Sequence, residues 1–114
     1  MEKMTQVNEA YVAKPLELEG ILDYQDDTII SKELIKLPTG SITAFAIDAG
    51  QGISEHVVPY DAFLQVVDGE AIVTIDGETT NVRKGEMIIM PADKYHSLKA
   101  DVRFKMLLTM IKDV

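Results

Sequence analysis

The sequence predicts an all-β protein, folded as an antiparallel sandwich or barrel. Short runs rich in β-branched and apolar residues recur along the chain, and tight turns containing Gly, Pro or Asp-Gly separate them. A chain of 114 residues suits a single domain with its own core. If any helix forms, it is expected within the first 25 residues.

Each predicted strand is bounded by a turn signal. Pro38-Thr39-Gly40 follows the first clear strand, and Asp76-Gly77 separates two later strands. Asp-Gly between β runs favours a two-residue hairpin, because both positions adopt positive φ. Asp68-Gly69 is expected in a second turn. The predicted strands cover residues 28–35, 41–49, 62–67, 71–75, 79–83, 87–90, 95–99 and 102–111, and His56 begins a further one.

Two predicted strands are apolar on both faces. Residues 41–49 alternate, yet both faces are mostly apolar, and residues 102–111 end in a continuous apolar run. Such strands are typical of sheets that are covered on both sides. The chain is divided into an N-terminal extension, residues 1–27, and a barrel domain, residues 28–114. Residues 11–22 lack turn signals and could add a strand to a partner's sheet, which predicts a homodimer.

Composition excludes several classes of function. The net charge of −8 and the absence of Trp disfavour binding to nucleic acid. The absence of Cys excludes disulfides and thiolate metal sites, and is compatible with a cytoplasmic location. No apolar run is long enough for a membrane span, and the first six residues do not resemble a signal peptide.

The two histidines, His56 and His96, are the first candidates for a functional site. Each follows a turn and begins a predicted strand, so both could meet inside a barrel. Imidazole is the commonest protein ligand for metals, but enclosed metal sites use three or four protein ligands. Composition alone therefore favours two partly buried histidines that are held by hydrogen bonds. Tyr60, Asp61 and Gln65 could line a site beside His56, although the turn after Pro59 also explains their presence.

Two segments containing these histidines resemble the motifs of the cupin superfamily. In the first segment Gly50, His56 and Gly69 match; in the second, Gly85, Pro91 and His96 match in register. The resemblance covers about residues 40–110. It implies an antiparallel double-stranded β-helix, that is, a small jelly-roll barrel, often dimeric.

The departures from the motifs concern the metal ligands that the resemblance implies. Val58 occupies the place of the second motif histidine, and Ala62 that of the motif glutamate. Asp93 and Ala100 replace a Gly and an Asn of the second motif. Only His56 and His96 are left of the four implied ligands, so the expected metal is at most a weakly bound divalent ion.

Three functions are compatible with these observations. The first is a binding module for a small molecule, with His56 and His96 as the polar groups of an apolar barrel cavity. Its predicted wall consists of Val58, Ala62, Leu64, Val66, Ile88 and Met90. The second is a weakly metal-dependent enzyme, an isomerase or dioxygenase, acting on a small organic compound. The third is a structural oligomer without a ligand. Fold alone does not choose among them.

Overall fold

Antiparallel strands make up the molecule, and the computed structural model describes residues 6–112 of it. Residues 1–5 of the predicted extension and 113–114 of the predicted barrel domain lie outside this range. The strands are β1 (Gln6–Val7), β2 (Ile29–Leu37), β3 (Gly40–Ile47), β4 (Gly52–His56), β5 (Asp61–Asp68), β6 (Glu70–Ile75), β7 (Glu78–Arg83), β8 (Met87–Met90), β9 (His96–Lys99) and β10 (Phe104–Ile111). Two short 3₁₀ turns, Glu9–Tyr11 and Leu18–Gly20, precede β2.

The strands form two sheets that enclose the core. One sheet has the order β1-β2-β3-β10-β5-β8, and the other has the order β4-β9-β6-β7. All strand pairs in both sheets are antiparallel. The predicted all-β class and the jelly-roll barrel that the family resemblance implied are therefore confirmed.

Alternation along the strands places the core between the sheets. In β5 the buried residues are Ala62, Leu64 and Val66; in β6 they are Ala71 and Val73. Burial of each large side chain contributes about 2 kcal/mol. The fully buried large residues are Phe104, Ile47, Leu64, Met106, Val66 and Val73.

The two Asp-Gly pairs have different roles. Asp76 and Gly77 both have positive φ, 50° and 84°, and they join β6 to β7 as a hairpin within one sheet. Gly69 also has positive φ, 72°, but it connects β5 to β6, which belong to different sheets. Only the first pair therefore forms a hairpin, while the second carries the chain from one sheet to the other.

The segment before β2 packs against its own chain. Residues 11–22 form no strand, and β1 pairs with β2. Leu22 is buried with Ala44 and Ala46 on the outer face of the six-stranded sheet, beside Tyr24. The Tyr24 hydroxyl donates a hydrogen bond to Asp68 at 2.5 Å. This segment therefore covers the part of the outer face around Ala44 and Ala46. No helix within residues 6–112 is long and apolar enough to cross a membrane.

Candidate functional site

His56 and His96 are neighbours on the inner face of the four-stranded sheet. His56 ends β4, His96 begins β9, and the two residues are cross-strand partners. On its other side His96 pairs with Ile75 of β6, which in turn pairs with Glu78 of β7. One row of side chains thus crosses the sheet in the order His56, His96, Ile75, Glu78.

The two imidazoles contact each other directly. Their Nε2 atoms lie 3.1 Å apart, and the rings meet edge to face at 70°. The Nδ1 atom of His56 lies 2.8 Å from the carbonyl oxygen of Ser54. Because a carbonyl only accepts, His56 carries its proton on Nδ1, and its Nε2 accepts from the Nε2–H of His96. In the neutral pair, Nδ1 of His96 is then an unprotonated acceptor.

The environment of His96 favours its neutral form. The side chain is 4% exposed, whereas that of His56 is exposed to solvent. Burial lowers the pKa of His96, and the adjacent His56 lowers it further. The Lys94 backbone acts in the opposite direction on this pKa, because its carbonyl would accept a proton carried on Nδ1. The neutral ring makes no such bond, and Nδ1 has no hydrogen-bond partner among the described residues.

A cleft of about 470 Å³ begins next to the histidine pair. It lies where β7, an edge of one sheet, faces β8, an edge of the other. Ile75 and Ile88 supply apolar side chains from the two opposite sheets, and Ile75 also pairs with His96. The complete lining is Ile75, Asp76, Glu78, Thr79, Thr80, Ile88, Pro91 and Lys94.

The cavity residues predicted from the sequence are divided between the core and the cleft. Ile88 lines the cleft, and Val58 lies half-buried in the loop after β4. The other four are almost completely buried in the core: Ala62, Leu64, Val66 and Met90.

The residues near Pro59 that the sequence singled out have other contacts. Asp61 accepts a hydrogen bond from the Ala92 amide at 2.8 Å. The ring of Tyr60 lies under the Lys112 ammonium. Gln65 lines a different groove, on the outside of the barrel. Within residues 6–112, none of the three forms a hydrogen bond with His56.

The donor set does not fit a tightly held metal ion. Residues 6–112 contain no group of three or more His, Cys, Asp or Glu side chains that could hold one. Val58 and Ala62 carry no donor atoms, and the Asp61 carboxylate is bonded to a backbone amide. A site with three or four protein ligands is therefore not built here.

Sequence reasoning missed Ile75, Glu78, Thr80 and Lys94 as cleft residues. The signal for the first three was present in the hairpin. A two-residue Asp76-Gly77 turn pairs Ile75 with Glu78, and alternation with the apolar Val73 places both on the inner face. Lys94 had no comparable signal, because its position depends on the turn before β9.

Comparison with known proteins identifies the family. The family model described as the cupin domain matches residues 44–111. The conserved SPY1581 protein of unknown function from Streptococcus pyogenes has a similar structure, with 37% identity, a TM-score of 0.90 and 95% coverage of both chains.

A curated relative and a more distant structure extend the comparison. The uncharacterized protein SCO3923 of Streptomyces coelicolor is 35% identical over 66 residues, which span 55% of this chain but only 63% of that protein. A mutant form of salicylate 1,2-dioxygenase from Pseudoaminobacter salicylatoxidans is 22% identical, with a TM-score of 0.68 over 73% of this chain and 26% of that one. It shares the fold alone. Because the cupin family model matches more than half of this chain, the chain belongs to the cupin family.

Proposed function

We propose that this protein binds a small organic molecule at the barrel mouth. The observation that carries the proposal is the position of the histidine pair beside the 470 Å³ cleft, with Ile75 adjoining both. The volume lies within the range of small-molecule sites, which combine apolar walls with a few polar groups. Here Ile75 and Ile88 supply apolar walls, residues such as Glu78 supply polar groups, and the imidazoles lie next to the cleft beside Ile75.

The histidine pair offers the ligand a donor and an acceptor. His56 is accessible from solvent, so a ligand reaches it first. A hydroxyl or carboxyl group that displaces His56 from Nε2 of His96 would accept the hydrogen bond of that ring. Truncating His56 would leave a buried donor without its partner, which costs about 1–3 kcal/mol. A ligand that restores the bond therefore has a free-energy advantage over one that only fills the cleft.

A spectrum that resolves the isoleucine methyl groups tests this proposal. The test screens small acids, alcohols and amines at 10 mM while following the methyls of Ile75 and Ile88 and both imidazoles. Binding at the mouth shifts these signals saturably, while the methyl of Ile30, on the outer face, serves as the control. If no compound shifts Ile75 or Ile88 more than Ile30, the mouth is not a binding site.

A weakly metal-dependent enzyme is the second candidate, and two observations favour it. Both Nε2 atoms lie close enough to contact one ion when His96 carries its proton on Nδ1 and not on Nε2, and a dioxygenase shares the fold. Two imidazole ligands predict only micromolar to millimolar affinity for a divalent ion. Elemental analysis before and after addition of Zn²⁺, Mn²⁺, Fe²⁺ or Ni²⁺ tests this candidate. Retention of stoichiometric metal after gel filtration would favour it over binding alone.

A homodimer is supported by apolar residues that stay exposed on the outer face of the six-stranded sheet. It also keeps the structural oligomer as a candidate function. Met87, Ile89 and Ile111 are 44%, 57% and 69% exposed there, and Phe63 pairs with Ile89 across the strands. Strands that are apolar on both faces need a cover. A second copy suits this mostly apolar patch, since its one neighbouring carboxylate, Asp61 opposite Ile111, already accepts a hydrogen bond from the Ala92 amide. We also propose a cytoplasmic location, with which a sequence without cysteine is compatible.

Light scattering tests the assembly. The wild type is expected at about twice the monomer mass of 12.6 kDa, and the Ile89→Asp variant at the monomer mass. The control is Val102→Asp, which alters an exposed apolar residue in the loop before β10. A monomeric wild type at micromolar concentration, or a dimeric Ile89→Asp variant, would reject this face.

A further inference from the structure

The cleft at the barrel mouth carries charges of both signs. Asp76 and Glu78 stand on the hairpin between β6 and β7, and Lys94 stands in the turn before β9. None of these three side chains forms an ion pair within residues 6–112. Their charges are therefore available to a ligand and are not neutralised by each other.

The floor between these charges is apolar. Ile75 extends from β6 of one sheet, and Ile88 extends from β8 of the other. Neighbouring strands lie about 4.8 Å apart, so Glu78 and His96, which flank Ile75 in the row, are separated by about 10 Å. A ligand of six to ten heavy atoms, on the order of this span, would cover the floor. Its two charged groups would lie close together, because the Asp76 amide donates a hydrogen bond at 2.7 Å to the carbonyl oxygen of Tyr95, the residue after Lys94.

The overall charge of the chain restricts the ligand further. A net charge of −8 repels a small anion before it reaches the cleft. A carboxylate that also carries an ammonium group has no net charge and does not experience this repulsion. Its ammonium group has Asp76 and Glu78 as partners, while its carboxylate has Lys94.

We infer that the ligand class is a small α-amino acid with an apolar side chain, bound as the zwitterion. This inference rests on the proposed function and names the ligand for the same site. The ammonium lies at Glu78, the carboxylate at Lys94, and the side chain on Ile75 and Ile88. Each part of the ligand thus meets a complementary group of the cleft.

A titration with three related compounds tests the inference. Leucine carries both charged groups, 4-methylpentanoate lacks the ammonium, and 3-methylbutylamine lacks the carboxylate. We expect leucine to shift the methyls of Ile75 and Ile88 at concentrations at least fivefold lower than either analogue. Equal or tighter binding of one analogue would overturn the inference, although shifts at these methyls would still support a small-molecule site.

Matched charge variants assign each end of the ligand. Glu78→Gln is expected to weaken the binding of leucine at least fivefold without weakening the binding of 4-methylpentanoate. Lys94→Gln is expected to weaken the binding of leucine without weakening the binding of 3-methylbutylamine. The controls are Glu9→Gln and Lys32→Gln, which make the same changes at exposed positions outside the cleft.

The remaining outcomes separate the inference from the proposed function. If leucine binds equally to all four variants, the charges do not recognise the ligand and the inference is wrong. If none of the three compounds shifts Ile75 or Ile88 but another compound of the screen does, the ligand class is wrong and the site stands. If no compound shifts them, both fail.

Discussion

Acidification is expected to destabilise the protein through His96. The folded state holds this imidazole with a lowered pKa, because the ring is buried and lies against His56. The unfolded chain has the ordinary His pKa of about 6.5. Between the folded and unfolded pKa values, the unfolded state binds more protons, so the free energy of unfolding falls as the pH falls.

The number of protons involved limits how steeply the free energy of unfolding depends on pH. A single buried imidazole corresponds to one proton, so its contribution to the slope reaches at most about 1.4 kcal/mol per pH unit. The contribution is complete above pH ~6.5 and decreases below it. Removing His56 removes one of the two causes of the lowered pKa. The His56→Ala variant should therefore raise the pKa of His96 and narrow the pH range of the effect.

Urea unfolding between pH 5 and pH 8 measures this contribution. The wild type is compared with His96→Gln, which keeps a polar side chain of similar size without a group that titrates in this range. Carboxylates affect both proteins alike, so the difference between their pH slopes isolates His96. Parallel curves for the two proteins, whatever their absolute stabilities, would refute the reasoning. An NMR titration of the His96 ring checks the direction of the pKa shift independently.

Two further predictions concern the turns and the outer layer. Gly69→Ala should lower the free energy of unfolding by about 3 kcal/mol or more, because at this positive φ the added Cβ would overlap the Arg103 carbonyl oxygen. The Cβ of Gly77→Ala meets open space, so this variant should lose only about 1 kcal/mol. Equal melting midpoints of the two variants would contradict this prediction. Tyr24→Phe should lower the free energy of unfolding by about 1.5–3 kcal/mol, because it removes a hydrogen bond to the Asp68 carboxylate. Unchanged urea unfolding would show that this bond contributes nothing to stability.

The strands and the all-β class could be predicted because the signals that specify them are local, whereas the jelly-roll arrangement was implied by the resemblance to the cupin superfamily. Alternation in residues 62–67 and 71–75 and the Asp76-Gly77 turn define strands and a hairpin without tertiary information. The course of the chain at Gly69 and over residues 11–22 could not be predicted in this way. Gly69 moves the chain between sheets, and Leu22 packs on Ala44 and Ala46, so both depend on contacts distant in sequence.

The candidate site was harder to predict from the sequence than the fold. The motif register singled out His56 and His96, but their 3.1 Å contact depends on how β4 and β9 pair. Of the residues expected to form a cavity wall, only Ile88 lines the cleft. Ala62 and Leu64 are apolar and point inward, which in so small a barrel places them in a filled core. Inward direction alone does not distinguish a packed residue from one that lines a cleft.

The seam between β7 and β8 has a consequence for the rate at which a ligand exchanges. These strands are the edges of two different sheets, so no ladder of backbone hydrogen bonds joins them in the described chain. Side chains such as Thr80 and Ile88 can move apart there while every ladder within each sheet stays intact. Association then requires side-chain rotation, which takes picoseconds to nanoseconds where residues are exposed, and no local unfolding. Ligands are therefore expected to exchange fast on the NMR timescale, with signals that move progressively during a titration.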